Sequence, residues 1–227
     1  MPHCEKTEIV KEEEITKISI KLPEPSLRRL PWYLAYLKLL KDKGEVYVSS
    51  TQIAKAIGVD ASQIAKDLSF INISGKTRVG YKVDSLITVL ENFLGFNISH
   101  KAFIFGVGSL GAALLHDTGL TQYGLRIVAG FDVRPELNNT TINGIPVYHL
   151  SAFEQKQKEL GANIGILTVP VDKAQEAAEN MIAGGIKAIW NFTPFRIQVP
   201  KHIVVQNISI YAHLAVMFNR LNVLKSK

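Results

Sequence analysis

Three glycines, Gly106, Gly108 and Gly111, have the spacing GxGxxG between an apolar stretch at 101–105 and an alanine-rich segment. In this context the first glycine permits a tight turn, the second lets the backbone approach a pyrophosphate, and the third lets a helix lie close to a strand. The phosphates would lie at the N-terminal end of that helix, where free N–H groups and the helix dipole favour negative charge. The pattern predicts a dinucleotide-binding loop formed by Gly106, Val107, Gly108, Ser109, Leu110 and Gly111.

A carboxylate that could hold a ribose follows the glycines by about twenty residues, which is the usual separation in such sites. It belongs to Asp132, at the end of the β-prone segment 125–131. Its oxygens could accept hydrogen bonds from ribose hydroxyls, whereas the nearby Arg134 leaves a 2′-phosphate, and hence NADP(H), open. The sequence therefore favours NAD(H) as the cofactor.

Two further segments end strands at the edge where open parallel sheets bind ligands. We expect them to line the nicotinamide half of the site, with ordinary turns between strand and helix as an equal alternative. They consist of Thr168, Val169 and Pro170 and of Asn191, Phe192 and Thr193.

The segment 52–64 has the pattern of a helix-turn-helix, with an ordinary helical hairpin as the alternative. Ala54 would let two helices approach, Gly58 can take the positive φ that the turn needs, and Ile64 would pack the second helix onto the first. If the second helix enters a major groove, its outward residues would contact DNA, and Gln63 would suit an adenine edge. These outward residues are Ser62, Gln63, Lys66 and Ser69.

Short β-prone pieces separated by glycines follow at 72–83, and they predict a basic wing. Between residues 21 and 82 there are eleven Lys and Arg against five Asp and Glu, so this region carries a surplus of six charges, equal to the net charge of +6 of the whole chain. Concentrated positive charge suits DNA phosphates, although each side chain is as readily a solvated charge. Lys66 on the second helix is expected to meet phosphate rather than a base edge. The other predicted phosphate contacts are Arg28, Arg29, Lys76, Arg78 and Lys82.

The segments that would position these residues predict two domains of an α/β protein. A winged helix-turn-helix at 25–94 would follow a mobile arm at 1–24, which mixes acids and lysines. A Rossmann-type, doubly wound parallel sheet at 98–205 would precede a C-terminal dimerisation helix at 206–227, because strand and helix patterns alternate in this part of the chain. The predicted helices are 26–44, 51–57, 60–71, 84–93, 109–117, 151–160, 173–183 and 208–224, and the predicted strands of the sheet are 101–105, 125–131, 164–169 and 188–192.

The bulk composition limits the classes of protein. No stretch reaches the roughly 18 apolar residues of a membrane span, and the N-terminus lacks the pattern of an export signal. A single cysteine excludes an internal disulfide and gives no sign of a metal site. A cytoplasmic protein without a membrane or metal partner is therefore expected.

The combination of these motifs resembles the Rex family of redox-sensing transcriptional repressors of bacteria. The resemblance implies a homodimer with a swapped C-terminal helix, NAD(H) as cofactor and double-stranded operator DNA as partner. NADH would favour a closed form that cannot bind the operator, and NAD would allow repression. The segments that carry the resemblance are 29–33, 59–68, 80–83, 106–111, 131–133, 144–148, 167–170 and 191–194.

Five positions depart from the pattern of the family. Ala65 stands in place of an arginine on the recognition helix, and Thr77-Arg78 replaces the arginine-glycine of the wing. Asp117 stands in place of a tyrosine and Asn207 in place of an aspartate, which in the family pair across the dimer and respond to the nicotinamide. We therefore expect this chain to differ from the family in its operator sequence and in its redox switch.

Two other functions stay open from the sequence. An NAD(P)-dependent enzyme or nucleotide-binding subunit is one, but the histidines His116, His149, His202 and His213 have no carboxylate partner at a recognisable spacing. The other is a DNA-binding regulator that no longer senses redox and uses its nucleotide fold to dimerise or to bind another nucleotide.

Overall fold

The computed structural model describes residues 22–225, and the chain divides into two compact units after Gly95. The arm predicted at 1–24 lies outside the described residues except for its last three. Of these, Glu24 already begins the first helix, two residues before the predicted start.

The first unit combines helices with a small antiparallel sheet. Leu30, Leu34 and Leu37 recur at helical spacing and are fully buried, so the first helix presents one apolar face to the core of this unit. The helices are α1 (Glu24–Asp42), α2 (Ser50–Ile57), α3 (Ala61–Ser69) and α4 (Val83–Leu94), and the strands are β1 (Tyr47–Val48) and β2 (Tyr81–Lys82).

The helix-turn-helix forms as its residues predict. Ser49 and Gln52 cap α2 reciprocally: the Gln52 N–H donates to Ser49 Oγ over 3.1 Å, and the Ser49 N–H donates to Gln52 Oε1 over 2.7 Å. Gly58 ends α2 in the left-handed conformation, at φ 70°. Ile64 of α3 is fully buried, which confirms that this residue anchors the second helix.

The wing is shorter than the predicted β-prone segment. Strand β2 pairs with β1, which the sequence did not reveal, and a bridge between Lys76 and Gly80 closes the loop before it. A Cβ on Gly80 would overlap the Val48 carbonyl oxygen, and its φ of +91° also favours glycine. Only glycine therefore fits where the loop crosses β1.

The second unit has a seven-stranded sheet in the order β5-β6-β4-β3-β7-β8-β9, parallel except for β5. Chain order reverses at β3, which lies between β4 and β7. The strands are β3 (His100–Phe105), β4 (Leu125–Asp132), β5 (Thr140–Ile142), β6 (Ile145–His149), β7 (Ile164–Leu167), β8 (Ala188–Asn191) and β9 (Val204–Asn207). The helices are α5 (Ser109–His116), α6 (Gly119–Gln122), α7 (Phe153–Leu160), α8 (Ala174–Ala183) and α9 (Ile210–Lys225).

Both faces of this sheet are covered, as in a doubly wound fold. Phe103 and Phe105 of β3 pack with Phe153 of α7 on one face, whereas Ala102 and Ile104 belong to the opposite core. This alternation follows from the two-residue period of a strand. Strands buried on both sides read as continuous apolar runs, which is why β3 was recognisable in the sequence.

The last helix, α9, exposes most of its apolar side chains. Tyr211, Phe218 and Leu224 are 66%, 54% and 70% exposed. A groove along the same helix is lined by Val216, Met217 and Leu221. Helix α9 therefore leaves an extended apolar surface uncovered. None of the helices within residues 22–225 is both long and apolar enough to cross a bilayer.

Candidate dinucleotide site and nucleic-acid interface

Two of the fingerprint glycines are required by the packing of their own loop. Gly106 has φ +92°, and a Cβ there would lie 2.8 Å from the Thr168 carbonyl oxygen. A Cβ on Gly111 would overlap the Gly106 carbonyl oxygen, because the first turn of α5 lies directly against the loop. The Thr168 hydroxyl donates to that same Gly106 oxygen over 2.6 Å, which fixes the loop to the end of β7.

The second fingerprint glycine, Gly108, faces open space instead. An added Cβ would meet no atom within 4 Å, and its φ of −74° suits any residue. Gly108 borders a cavity of about 640 Å³ at the carboxyl end of β3, within the usual size range of ligand sites. Since the first N–H groups of a helix lack partners within it, the start of α5 beside Gly108 can receive phosphate oxygens. The residues present therefore fit a dinucleotide.

Asp132 is held firmly at the rim of this cavity. Its side chain is 8% exposed, and it accepts hydrogen bonds from the Val107 N–H over 2.7 Å and the Arg134 N–H over 3.0 Å. The Arg134 guanidinium adds a contact of 3.0 Å from Nε. Burial alone would raise the pKa of the Asp132 carboxyl, but these hydrogen bonds outweigh it and lower the pKa. The carboxylate is thus ionised and able to accept ribose hydroxyls.

The structure brings half of the fourteen predicted cofactor residues to one cavity and leaves the other seven outside its lining. Those that line it are Gly106, Gly108, Asp132, Arg134, Thr168, Val169 and Pro170. The Val107 side chain is buried in the core instead, while Ser109 and Leu110 are exposed on the first turn of α5. The lining also includes residues that no sequence motif predicts: Leu150 before α7, and Lys173, Glu176 and Asn180 at α8. Their position after β6 and β7 was the available signal.

Asn191 and Thr193 do not line this cavity, and neither does Phe192. The Asn191 side chain is fully buried; its amide donates to the Phe195 carbonyl, and its oxygen accepts the Thr193 N–H over 2.9 Å. Phe192 packs against Trp190. These bonds shape the turn after β8, and a contact between this turn and a nicotinamide stays a prediction.

The two positions that depart from the family switch have local partners. Asp117 Oδ1 accepts the N–H groups of Gly119 and Leu120 over 2.6 and 3.0 Å, which holds the start of α6. Asn207 Oδ1 accepts the Asn191 amide over 2.8 Å. Both side chains therefore stabilise turns or strand ends of their own unit.

On the first unit, seven of the nine predicted DNA contacts lie on the surface, Arg28 of α1 among them. Ser62, Lys66 and Ser69 are exposed on α3, and Lys76, Arg78 and Lys82 are exposed on the wing. The remaining two, Arg29 and Gln63, are partly buried and occupied within the unit. Whether either of them also reaches DNA stays a prediction.

Arg29 and Gln63 both bind Asp67, a carboxylate of α3 whose side chain has no exposed surface. Arg29 donates to the Asp67 carboxylate from Nε and Nη2 over 2.7 and 2.8 Å. Gln63 Nε2 donates to the same carboxylate over 2.8 Å, and the Tyr33 hydroxyl donates to it over 2.6 Å. The Asp67 cluster, which we define as Asp67, Arg29, Tyr33 and Gln63, thus joins α3 to α1. A buried charge is tolerated when hydrogen bonds satisfy it in this way.

The Asp67 cluster predicts that the first unit loses stability in acid. Burial would raise the pKa of Asp67, but the bonds from Arg29, Tyr33 and Gln63 lower it from 3.8 to about 2. A lowered folded-state pKa adds stability above the unfolded-state value, and that stability is lost as the pH falls from about 4 towards 2. We expect a loss of about 2 kcal/mol over this interval.

Urea titrations at pH 5, 4, 3 and 2, followed by hydrogen exchange of α3 peptides, would measure this loss. In Asp67→Asn the same interval should cost less, because no carboxyl titrates at that position. Equal acid sensitivity of the two proteins would contradict the role given to Asp67.

The fold and these sites define a class of protein: a winged-helix DNA-binding unit followed by a Rossmann-like nucleotide-binding unit. Two family models match, a putative DNA-binding protein N-terminus at residues 21–69 and a CoA binding domain at 97–195. The chain is 68% identical over 206 residues to the redox-sensing transcriptional repressor Rex of Bacteroides fragilis, covering 91% of this chain and 94% of that one. The chain belongs to the Rex family of redox-sensing transcriptional repressors.

Other comparisons agree with this family. Rex of Porphyromonas gingivalis is 60% identical, and the match covers 92% of this chain and 95% of that one. The structure of RSP with β-NAD⁺ and operator DNA has a TM-score of 0.85 at 32% identity, covering 92% and 95%. RSP with β-NADH has a TM-score of 0.79 at 33% identity, covering 88% and 94%. The relatives are named regulators, and the enzyme alternative is thereby set aside.

Proposed function

We propose that this protein is a transcriptional repressor that binds operator DNA through its first unit and releases it when NADH binds to the second. The observation that carries the proposal is the cavity at the end of β3, which joins the glycine loop to the ionised Asp132. The same fold in RSP was solved with NADH, with NAD⁺ and with operator DNA. NAD(H) is the proposed cofactor, and the proposed location is the cytoplasm.

The proposed DNA surface consists of the exposed side of α3 and the wing. The exposed residues on α3 are Ser62 and Ser69, which would lie in a major groove, and Lys66, which would meet phosphate. The residues of the wing that would meet phosphate are Lys76, Arg78 and Lys82. The Asp67 cluster lies behind α3 and sets the orientation of this helix. In our proposal Arg29 and Gln63 act mainly through that orientation.

The proposed assembly is a homodimer in which α9 packs against the second copy. Its exposed residues Tyr211, Phe218 and Leu224 support this, since monomeric proteins rarely leave such a surface uncovered. A two-fold assembly would also place two recognition helices against two operator half-sites. A helix exchanged between the copies is part of the proposal.

The decisive experiment measures operator affinity with and without NADH. The probe is a duplex that the protein itself selects from a random pool in the presence of NAD⁺. We expect saturating NADH to weaken binding by roughly 5- to 150-fold, and operator DNA to weaken NADH binding by the same factor, because coupling is reciprocal. An operator affinity that NADH leaves unchanged would overturn NADH control while sparing DNA binding.

A regulator without redox discrimination is the second candidate, and the local role of Asp117 favours it. Its carboxylate is engaged at the start of α6, where the family pattern has a tyrosine that responds to the nicotinamide. Fluorescence titrations with NADH, NAD⁺, NADP⁺ and ATP separate the two candidates. Equal affinity for NADH and NAD⁺ would support the second.

The proposed DNA surface predicts a specific change in salt dependence. The logarithm of operator affinity should fall less steeply with the logarithm of salt concentration when Lys66 is replaced with alanine. The magnitude of the slope should decrease by about 0.9, the value for one phosphate contact. Lys158 on α7 is also exposed, and Lys158→Ala removes the same charge from the second unit as a matched control. Equal slopes for the two variants would exclude Lys66 from the interface.

A further inference from the structure

We propose that Arg134 sets how strongly the site discriminates a ribose 2′-hydroxyl from a 2′-phosphate. The inference rests on the proposed function, because it concerns the adenosine half of the same dinucleotide site. Arg134 follows Asp132 by two residues and lines the same cavity. Its side chain is 46% exposed, so it can change position without unfolding the strand end.

The Arg134 guanidinium closes over the carboxylate that a ribose would use. Nε donates to Asp132 Oδ1 over 3.0 Å, and Nη2 contacts Asp132 Oδ2 over 3.2 Å. Nη2 also donates to the Val107 carbonyl oxygen over 2.8 Å, which ties the side chain to the glycine loop. The guanidinium therefore spans the gap between the end of β4 and the loop that would hold the pyrophosphate.

A ribose diol must compete with this contact. Each Asp132 oxygen already accepts one backbone N–H, from Arg134 and from Val107, and those bonds belong to the fold. The two contacts from the guanidinium are the ones that a hydroxyl can replace, since a carboxylate offers about four acceptor positions. Binding of NADH therefore displaces the Arg134 side chain from Asp132.

The displaced guanidinium remains beside the 2′ position. There it adds little binding energy for a hydroxyl that already donates to Asp132, but it can form a charge-assisted, bidentate contact with a phosphate. The ionised Asp132 acts in the opposite direction, because it repels a 2′-phosphate. Arg134 therefore weakens the binding of NADH and strengthens the binding of NADPH. The Kd values of the two ligands should differ less than they would if Asp132 acted without Arg134.

The experiment compares the full-length protein with Arg134→Ala and Arg134→Lys. The probes are NADH and NADPH, together with AMP and adenosine 2′,5′-bisphosphate, which test the adenosine half without the nicotinamide. Isothermal titration gives each Kd. Arg196→Ala is the matched control, because Arg196 is exposed in the same unit and does not line the cavity.

We expect Arg134→Ala to increase the ratio of the NADPH Kd to the NADH Kd by about tenfold, the lower range for a charge-assisted bond at a partly exposed site. The same factor should appear for the two adenosine probes, and Arg134→Lys should lie between. Arg196→Ala should leave both ratios unchanged. The melting temperature of each variant shows that the fold is retained.

Ratios in Arg134→Ala that equal those of the unaltered protein would overturn the proposal, even if NADH binds well. Failure of the unaltered protein to bind any of the four probes would overturn the proposed function, and the role of Arg134 with it. A ratio that falls in Arg134→Ala would reverse the sign of the argument and also overturn it.

Discussion

Replacing Asp67 with alanine is expected to destabilise the first unit by about 3–5 kcal/mol, the usual cost of breaking a buried ion pair from one side. The substitution leaves the Arg29 guanidinium and the Tyr33 hydroxyl without the acceptor that both of them use. Because these bonds join α3 to α1, α3 should lose its fixed orientation, and operator affinity should fall with it. Hydrogen exchange of α3 peptides in the full chain, as a function of urea, measures the loss.

Asp84→Ala is the matched control for this prediction. Asp84 pairs with Lys41 over 3.0 Å, but the two side chains are 63% and 58% exposed. Exposed pairs contribute little, so we expect a change below about 1 kcal/mol. If Asp67→Ala costs no more than Asp84→Ala, the Asp67 cluster does not stabilise the first unit.

Replacing Gly111 with alanine is expected to weaken NADH binding by at least about 100-fold, because the loop must move before the helix can approach a phosphate. The added Cβ would overlap the Gly106 carbonyl oxygen, which the Thr168 hydroxyl also holds in place. The first unit is untouched, so DNA binding should persist and become insensitive to NADH. Operator binding in an NADH titration reports both parts of this outcome.

Gly108→Ala separates loop packing from ligand approach. Its Cβ would meet no protein atom within 4 Å, so the melting temperature should equal that of the unaltered protein. Any loss of NADH affinity in this variant then reflects contact with the ligand itself. Retained NADH affinity in Gly111→Ala would show that the glycine loop is not the dinucleotide site.

The parts of the fold that the sequence predicts well are those with a strong local pattern. Strand β3 is an apolar run that ends in a glycine loop, and α2 has Ser49 and Gln52 at capping spacing and Gly58 at its end. The two-residue strand β1 and the edge strand β9 were missed, because short or exposed strands bury too little to leave a periodic signal. Helix ends differ by a few residues, as at Ser69, where α3 stops before the predicted residue 71.

The sites were harder to predict where polar residues that are far apart in the sequence form hydrogen bonds with one another. Asp67 has the appearance of a surface acid on an amphipathic helix, and nothing local shows that Arg29, 38 residues away, neutralises it. For the same reason Gln63 was assigned to an adenine edge alone. The sequence predicts that Asp132 supplies the carboxylate and that it lies at the end of a strand. It does not predict that the Arg134 side chain binds this carboxylate, because that contact depends on a rotamer that no spacing rule specifies.

The uncovered face of α9 makes the concentration of the protein relevant to repression. If two copies must join through Phe218, Leu224 and their neighbours before they can span a two-fold operator, the paired fraction falls on dilution by mass action. At low copy number most chains would be single and the operator would be free, whatever the level of NADH. Transcription would then respond to two independent inputs, the redox state of the cell and the dosage of the repressor.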